Sequence, residues 1–264
     1  TGDGNNTNIP VAITGGALAG KTVTQITAGH SRTCAVVSDG TVACWGGGDS
    51  FTPVAVTGGA LAGATVTKIT AGHAHMCALI SDGTVACWGQ NIEGQLGTGD
   101  NTSTTTPVPI NGGALTNKTV IQINAGIYHT CALISDGTVA CWGENNDGQL
   151  GIGDNIDRNV PVAVTGGALE NKTITQIAAG NNHTCALISD GTIACWGRNN
   201  FGQLGTGNYN DSNVPVAVTG GALANKTVAE ITTSFSHTCA LISDGTVACW
   251  GYNGFGQLGT GDTS

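Results

Sequence analysis

Short apolar runs alternate with polar turns along the whole chain, and one arrangement of them recurs five times. CALISDGTVACWG, residues 131–143, has an apolar run on each side of Ser-Asp-Gly. Two such runs joined by a three-residue loop ending in glycine predict a β-hairpin. Close copies stand at 34–46, 77–89, 185–197 and 239–251. Because no segment shows helical periodicity, the pattern predicts an all-β protein.

The turn fixes the register of each hairpin. With residues 135–137 as the loop, Leu133 faces Val139 and Cys131 faces Cys141. The cysteines then occupy a non-hydrogen-bonded pair, where the Cα atoms come close enough for a disulfide. Zinc ligands and reduced core cysteines are the alternatives, but the nine-residue gap between the cysteines fits neither short zinc spacings nor a redox CxxC. We therefore predict five hairpin disulfides: Cys34–Cys44, Cys77–Cys87, Cys131–Cys141, Cys185–Cys195 and Cys239–Cys249.

Both faces of the predicted hairpins are apolar or small. In the third copy one face carries Cys131, Leu133, Val139 and Cys141, and the other carries Ala132, Ile134, Thr138 and Ala140. A sheet without a polar face must be covered on both sides, as a propeller blade is by its two neighbours. The Ala-Gly pairs before the hairpins, such as 125–126, supply the small residues that a crowded central axis requires.

The hairpins lie in units that run from one proline to the next. These units are 10–52, 53–106, 107–160, 161–214 and 215–264. Repeats of 40 to 55 residues indicate a propeller or a solenoid, and four short strands per unit favour a propeller blade. The sequence therefore predicts one domain, residues 1–264, folded as a β-propeller of five four-stranded antiparallel blades.

The two ends of the chain carry related sequence. TGD stands at 1–3 and again at 260–262, and the PVAI segment near the start matches the PVAV that opens later units. Residues 1–14 are thus predicted to supply the outer strand of the last unit, through Ile9 to Thr14. That strand either closes a ring within one molecule or completes the last unit of the next molecule in a filament. A third possibility is that the five units are cut from a longer propeller.

The pattern AGxxHTCALxSDGTVxCWGxNxxGQLGxG resembles the regulator of chromosome condensation repeat, in the version found in secreted bacterial proteins. It stands at 129–151, 183–205 and 237–259, and the resemblance covers essentially the whole chain. The resemblance implies a β-propeller whose strand-connecting loops bind other proteins. Members of the family include a nucleotide-exchange factor for a small GTPase, a plant ultraviolet photoreceptor and a secreted β-lactamase inhibitor. These relatives usually have seven blades, whereas five units are present here.

The amino-acid composition restricts which partners and which cellular compartment we expect. A formal charge of −9 and a pI near 4.8 argue against nucleic acid as a partner, because binding phosphates needs clustered Lys and Arg. No apolar run approaches 18 residues and no signal sequence opens the chain, so we expect no membrane span. Ten cysteines in hairpin pairs indicate an oxidising location, and we expect a secreted, extracellular or cell-surface protein.

We predict no catalytic residue, no metal site and no cofactor, because nearly every polar residue recurs in step with the repeat. The histidines before the cysteines could form a metal-binding ring, but we expect each to tie one blade to the backbone of the next. The Ser-Asp-Gly aspartates are typical of turns rather than of acid/base pairs. Asn117, Asn171 and Asn225 open NKT sequons where the first two units have Gly20 and Gly63, which indicates a positive φ. Their glycosylation stays open.

Specificity should reside in loop positions that differ between units. Tyr128, Phe201, Phe235, Tyr252 and Phe255 are the predicted contact residues, because exposed aromatics are typical binding anchors; neutral drift of solvated loops is the alternative. The leading hypothesis is a non-enzymatic propeller that binds a protein or glycan. The alternatives are a structural subunit of an extracellular fibre or surface coat, assembled by terminal strand exchange, and an inhibitor of a secreted enzyme.

Overall fold

The computed structural model describes residues 5–48 and 50–263, and the regular structure there is almost entirely β. The strands are β1 Val23–Ala28, β2 Arg32–Val37, β3 Val42–Gly46, β4 Ser50–Val56, β5 Val66–Ala71, β6 His75–Ile80, β7 Val85–Gly89, β8 Thr104–Ile110, β9 Val120–Ala125, β10 His129–Ile134, β11 Val139–Gly143, β12 Arg158–Val164, β13 Ile174–Ala179, β14 His183–Ile188, β15 Ile193–Gly197, β16 Ser212–Ala217, β17 Val228–Thr233, β18 His237–Ile242 and β19 Val247–Gly251. Single turns of 3-10 helix stand before the first strand of each unit, at Gly16–Leu18, Gly59–Leu61, Gly113–Leu115, Gly167–Leu169 and Gly221–Leu223. Within these described ranges, no helix has the length and apolarity to cross a membrane.

The strands form five antiparallel sheets in chain order: β1–β4, β5–β8, β9–β12, β13–β16 and β17–β19. The hairpin register is the predicted one, with Leu133 opposite Val139 and Cys131 opposite Cys141. All five predicted disulfides are formed, each with its two Cα atoms 4.1 Å apart. The predictions of an all-β propeller fold and of its disulfide framework are confirmed.

The sheets pack face to face as successive blades. The innermost strands β1, β5, β9, β13 and β17 contact one another in that order. Between the third and fourth blades, Leu133 and the disulfide Cys131–Cys141 pack against Ile177 and Trp196. Equivalent clusters fill the other three junctions. Both faces of the middle blades are therefore buried, as the sequence predicts, and the tryptophans of the second to fifth blades pack between blades.

Glycine is required where the inner strands reach the axis. A Cβ on Gly126 would lie 2.5 Å from the carbonyl oxygen of Gly180 and 2.2 Å from Cε1 of His129. Both distances are far below van der Waals contact. The predicted crowding at the axis is therefore present, and it excludes any side chain at this position.

The ends of the propeller differ from its middle. The fifth sheet has three strands rather than four, and residues 5–14, which include the predicted closing strand, lie in no strand and are exposed; residues 1–4 lie outside the described part. Ile26 on β1 is 63% exposed and Val247 on β19 is 65% exposed, whereas the equivalent residues of the middle blades are 5% exposed or less. The blades thus form an open arc, in which the first and fifth blades do not cover each other.

Candidate binding face

Two connections from every blade emerge at the same end of the propeller, because the strands alternate in direction. One joins the first and second strands, and the other follows the third strand. We call this end the loop face. It comprises residues 29–31, 72–74, 126–128, 180–182 and 234–236, together with 47–48, 90–103, 144–157, 198–211 and 252–263. The opposite end carries the Ser-Asp-Gly turns and the 3-10 helices, and we call it the turn face.

A buried asparagine holds each long loop in shape. The side-chain Oδ1 of Asn145 accepts a hydrogen bond from the Leu150 N–H (2.9 Å), and its Nδ2 donates to the carbonyl oxygens of Asp154 and Ile156 (2.9 and 3.2 Å). The Asn145 N–H donates to Oδ1 of Asp157 (2.7 Å). This role of the asparagine is not among the sequence predictions, although the repeated pattern GxNxxGQLG carries the signal. Its counterparts are Asn91, Asn199 and Asn253.

A second network ties each loop to the following blade. Nε2 of His129 lies 2.9 Å from Oγ1 of Thr184, and that hydroxyl donates to the carbonyl oxygen of Gln149 (2.9 Å). Since the hydroxyl hydrogen is used, Nε2 must be the donor in the first bond. Nε1 of Trp196 donates to the same Gln149 carbonyl (2.9 Å). The same arrangement joins His75 to Thr130 and His183 to Thr238.

The histidines therefore join blades as predicted, but through a threonine side chain of the next blade rather than through its backbone. Burial lowers the pKa of His75 to about 4 and the pKa values of His129 and His183 to about 3. These imidazoles are neutral near pH 7. Across the described ranges, no three His, Cys, Asp or Glu side chains are arranged to hold a metal ion.

All five predicted contact residues lie on the loop face, in two groups. The rings of Phe201 and Tyr252 are 4.7 Å apart, and those of Tyr252 and Phe255 are 6.0 Å apart. Phe255 is 87% exposed and Phe201 40%. This aromatic group joins the fourth and fifth blades. Tyr128 and Phe235 instead stand around the axis.

The axial group lines a cavity of about 520 Å³ at the loop-face end of the channel. Backbone of the Ala-Gly pairs forms its wall, and all five units contribute. His30 stacks on His73 with ring centroids 4.4 Å apart, and Tyr128 lies 5.5 Å from His73. Phe235, 67% exposed, also lines this cavity. Backbone therefore forms much of the cavity wall, and the rings of His30, His73, Tyr128 and Phe235 line it as well.

Negative charge is concentrated on the loop face. The loops 90–103, 144–157 and 198–211 hold seven carboxylates and one arginine, Arg198. Burial, followed by the charge of Asp157, raises the pKa of Glu93; burial, followed by nearby carboxylates that include Glu93, raises that of Glu144. On the turn face, by contrast, lysines pair with the turn aspartates, as Lys118 does with Asp136 at 2.6 Å. The loop face therefore has an excess of negative charge.

Comparison with known proteins gives consistent matches. The family model described as RCC1-like domain matches residues 1–264. The ultraviolet-B receptor UVR8 of Arabidopsis thaliana is 34% identical over 261 residues, which cover 99% of this chain and 48% of the receptor. The probable E3 ubiquitin-protein ligase HERC4 of Homo sapiens is 37% identical over 157 residues, 60% of this chain and 15% of the ligase. The chain thus spans about half or less of these relatives.

Solved structures show the same fold. Human WBSCR16 superimposes with a TM-score of 0.79 at 22% identity, covering 89% of this chain and 63% of that one. Prp20p of Saccharomyces cerevisiae gives a TM-score of 0.78 at 23% identity, covering 92% and 61%. At this level of identity the likeness concerns the fold alone.

Proposed function

This chain belongs to the RCC1-like domain family, and we propose that it is a non-enzymatic module that binds a protein partner through its loop face, outside the reducing cytosol. The Prp20p structure was described together with that protein's binding to Gsp1p and histones. Protein binding by another propeller of this fold supports the class of function, and fold alone does not identify the partner.

The observation that carries the proposal is the exposed aromatic group Phe201, Tyr252 and Phe255. Its rings come from two blades, and Asn199 and Asn253 hold the loops beneath them. Anchored loops lose little conformational entropy when a partner binds. Large exposed rings on such a support are the side chains that most often contribute binding energy at protein interfaces.

The charge of the loop face indicates the chemistry of the partner. Seven carboxylates against one arginine in three loops favour a partner with lysine or arginine beside apolar side chains. The same charge repels the phosphates of nucleic acid, which supports the expectation that nucleic acid is not the ligand.

The disulfides support the proposed location. Cys131 and Cys141 are fully buried, as are the cysteines of the second and fourth blades, and all ten cysteines are paired. Paired hairpin cysteines persist in oxidising compartments and are rare where glutathione keeps thiols reduced. A secreted or cell-surface protein is consistent with this framework.

The test begins with random peptides displayed on phage and selected on the immobilised, oxidised chain. We expect the selected peptides to combine basic and aromatic or aliphatic residues. Phe255→Ala should weaken the best of them by about 30-fold, equivalent to a hot-spot loss of about 2 kcal/mol. Fluorescence anisotropy of the labelled peptide measures the dissociation constant, and added salt should weaken binding.

Phe51→Ala is the matched control, because Phe51 is 65% exposed but lies on the outer strand of the first blade. It should leave peptide affinity unchanged. If Phe201→Ala and Phe255→Ala bind the selected peptides as tightly as the unmodified chain does, the aromatic group is not the site and the proposal fails. A glycan array probed with the same chain distinguishes a carbohydrate ligand, which would replace the protein partner.

A further inference from the structure

Glutamine side chains join the innermost strands of neighbouring blades. Oε1 of Gln122 accepts a hydrogen bond from the Ile177 N–H (3.0 Å), and its Nε2 donates to the Ile177 carbonyl oxygen (2.9 Å). One carboxamide thus binds both backbone groups of a single residue in the next blade. The same pair of bonds joins Gln25 to Ile69 and Gln176 to Ile231.

The junction between the second and third blades lacks this carboxamide. Lys68, opposite Leu79 on β6, takes the register position that Gln122 takes opposite Leu133 on β10. Lys68 is exposed and forms no hydrogen bond or ion pair with any residue that the structure describes. The residue of the third blade that the missing carboxamide would bind is Ile123.

The backbone N–H and C=O of Ile123 are consequently left open. The Gly126 N–H donates to the His129 carbonyl oxygen (2.9 Å), and alternation from that pair makes Ile123 and Ala132 a non-hydrogen-bonded pair. Both backbone groups of Ile123 therefore point away from β10 and towards the axis. No side chain within the described ranges binds either of them.

Ile123 and Lys68 border open space. Both line a cavity of about 530 Å³ in the turn-face half of the axial channel. The side chain of Ile123 is packed between the second and third blades, and the residue is only 5% exposed. One donor, one acceptor and one ammonium group therefore meet at the wall of this cavity, all of them on blades that are covered on both sides.

The geometry limits which ligand can bind both backbone groups of Ile123. The ligand must carry an N–H and a C=O on the same edge, as a primary carboxamide does. A secondary peptide group is trans, so its N–H and C=O point in opposite directions and cannot bind in this way. The ammonium group of Lys68 favours a carboxylate beside the carboxamide, because charge-assisted hydrogen bonds are the stronger ones.

We propose that Ile123 and Lys68 form a binding site for a small molecule that carries a primary carboxamide and a carboxylate, as glutamine and its N-acyl derivatives do. The carboxamide takes the place of the missing glutamine side chain: its oxygen accepts from the Ile123 N–H, and its nitrogen donates to the Ile123 carbonyl oxygen. The carboxylate accepts from Nζ of Lys68. The site lies away from the loop face, so it is independent of the proposed binding function.

Titration of the oxidised chain with N-acetylglutamine, followed by proton–nitrogen correlation NMR, tests the site. The Ile123 N–H resonance should shift and saturate, whereas the Ile69 and Ile177 resonances should not, because a glutamine already binds those residues. N-acetylglutamate lacks the carboxamide, and N-acetylglutamine methylated on the amide nitrogen has a trans N–H. Each of these probes should bind more weakly by about tenfold or more.

Lys68→Gln is the decisive variant, because it supplies the carboxamide that the other junctions have. It should bind Ile123 as Gln122 binds Ile177, abolish binding of N-acetylglutamine and slow hydrogen exchange of the Ile123 N–H. Lys68→Ala leaves Ile123 open and should weaken binding by about tenfold through loss of the cation. Lys118→Gln makes the same exchange on the turn face, outside the cavity, and should leave the affinity unchanged.

Hydrogen exchange of the free chain gives a second readout: the Ile123 N–H should exchange faster than the Ile177 N–H. Three results would overturn the proposal. The first is an Ile123 resonance that N-acetylglutamine does not shift, and the second is a Lys68→Gln variant that binds the probe as tightly as the unmodified chain. The third is acetate binding as tightly as N-acetylglutamine, which would reduce the site to a lysine that attracts any anion.

Discussion

Replacing Thr184 by valine should measure what one blade-to-blade network contributes to stability. Valine keeps the shape of the side chain and removes the hydroxyl that accepts from His129 and donates to Gln149. The Gln149 carbonyl keeps its bond from Trp196. The imidazole N–H of His129 is then left without a partner in a site where both residues are 0% exposed.

The size of the effect follows from that orphaned donor. An unsatisfied buried donor costs about 1–3 kcal/mol, so the free energy of unfolding should fall by that amount. For a chain of this size the thermal midpoint should fall by about 2–4 °C per kcal/mol. His129→Leu removes the donor itself. The double variant His129→Leu/Thr184→Val should therefore be less destabilised than the sum of the single variants, with a coupling of about 1 kcal/mol or more.

Urea unfolding followed by tryptophan fluorescence is the assay, because Trp196 belongs to the same network. Met76→Thr is the reciprocal control, since the first blade offers Arg32 rather than a histidine; the added hydroxyl should destabilise the chain. If Thr184→Val unfolds within about 0.5 kcal/mol of the unmodified chain, or if the two substitutions are simply additive, the network is not a source of stability.

Three further predictions concern the buried histidines, the disulfides and the turns. Burial lowers the pKa of His75 to about 4 and the pKa values of His129 and His183 to about 3, so below about pH 6.5 the unfolded chain binds protons that the folded chain does not. The free energy of unfolding should therefore be constant above that pH and fall by about 1.4 kcal/mol per histidine per pH unit below it, as urea unfolding from pH 7 to 4 would measure. Mild reduction should open Cys239–Cys249 before the bridges of the middle blades, because both of its cysteines are partly exposed whereas those bridges are fully buried. Alkylation and peptide mass mapping would show the order, and simultaneous loss of all bridges would contradict it. Asn171 has a φ of 58°, so Asn171→Gly should be nearly neutral in thermal unfolding, whereas Asn171→Val should destabilise by about 1 kcal/mol or more; equal midpoints would refute the turn interpretation.

Much of the loop face could be anticipated from sequence because the repeat isolates what varies. The sequence predicts Tyr128 and Phe255 as exposed loop aromatics, and both lie on the loop face. That Phe201, Tyr252 and Phe255 form one group could not be predicted, because it depends on how the fourth blade packs on the fifth. The role of Asn145 is not predicted, because a residue that recurs in four units has no feature that separates it from the other repeated residues, and its hydrogen bonds form only in the folded loop.

The sequence by itself determined everything that is local to one unit. The hairpin register, the five disulfides and the left-handed conformation of Asn117, Asn171 and Asn225 depend on residues close in the chain, where turn chemistry and alternation leave one solution. Only the tertiary structure decided how units meet. The partner of each histidine, the exposure of Ile26 and Val247 and the free edge of β19 depend on packing between blades whose residues lie some fifty positions apart, and that geometry is set by the rotation of one blade on the next.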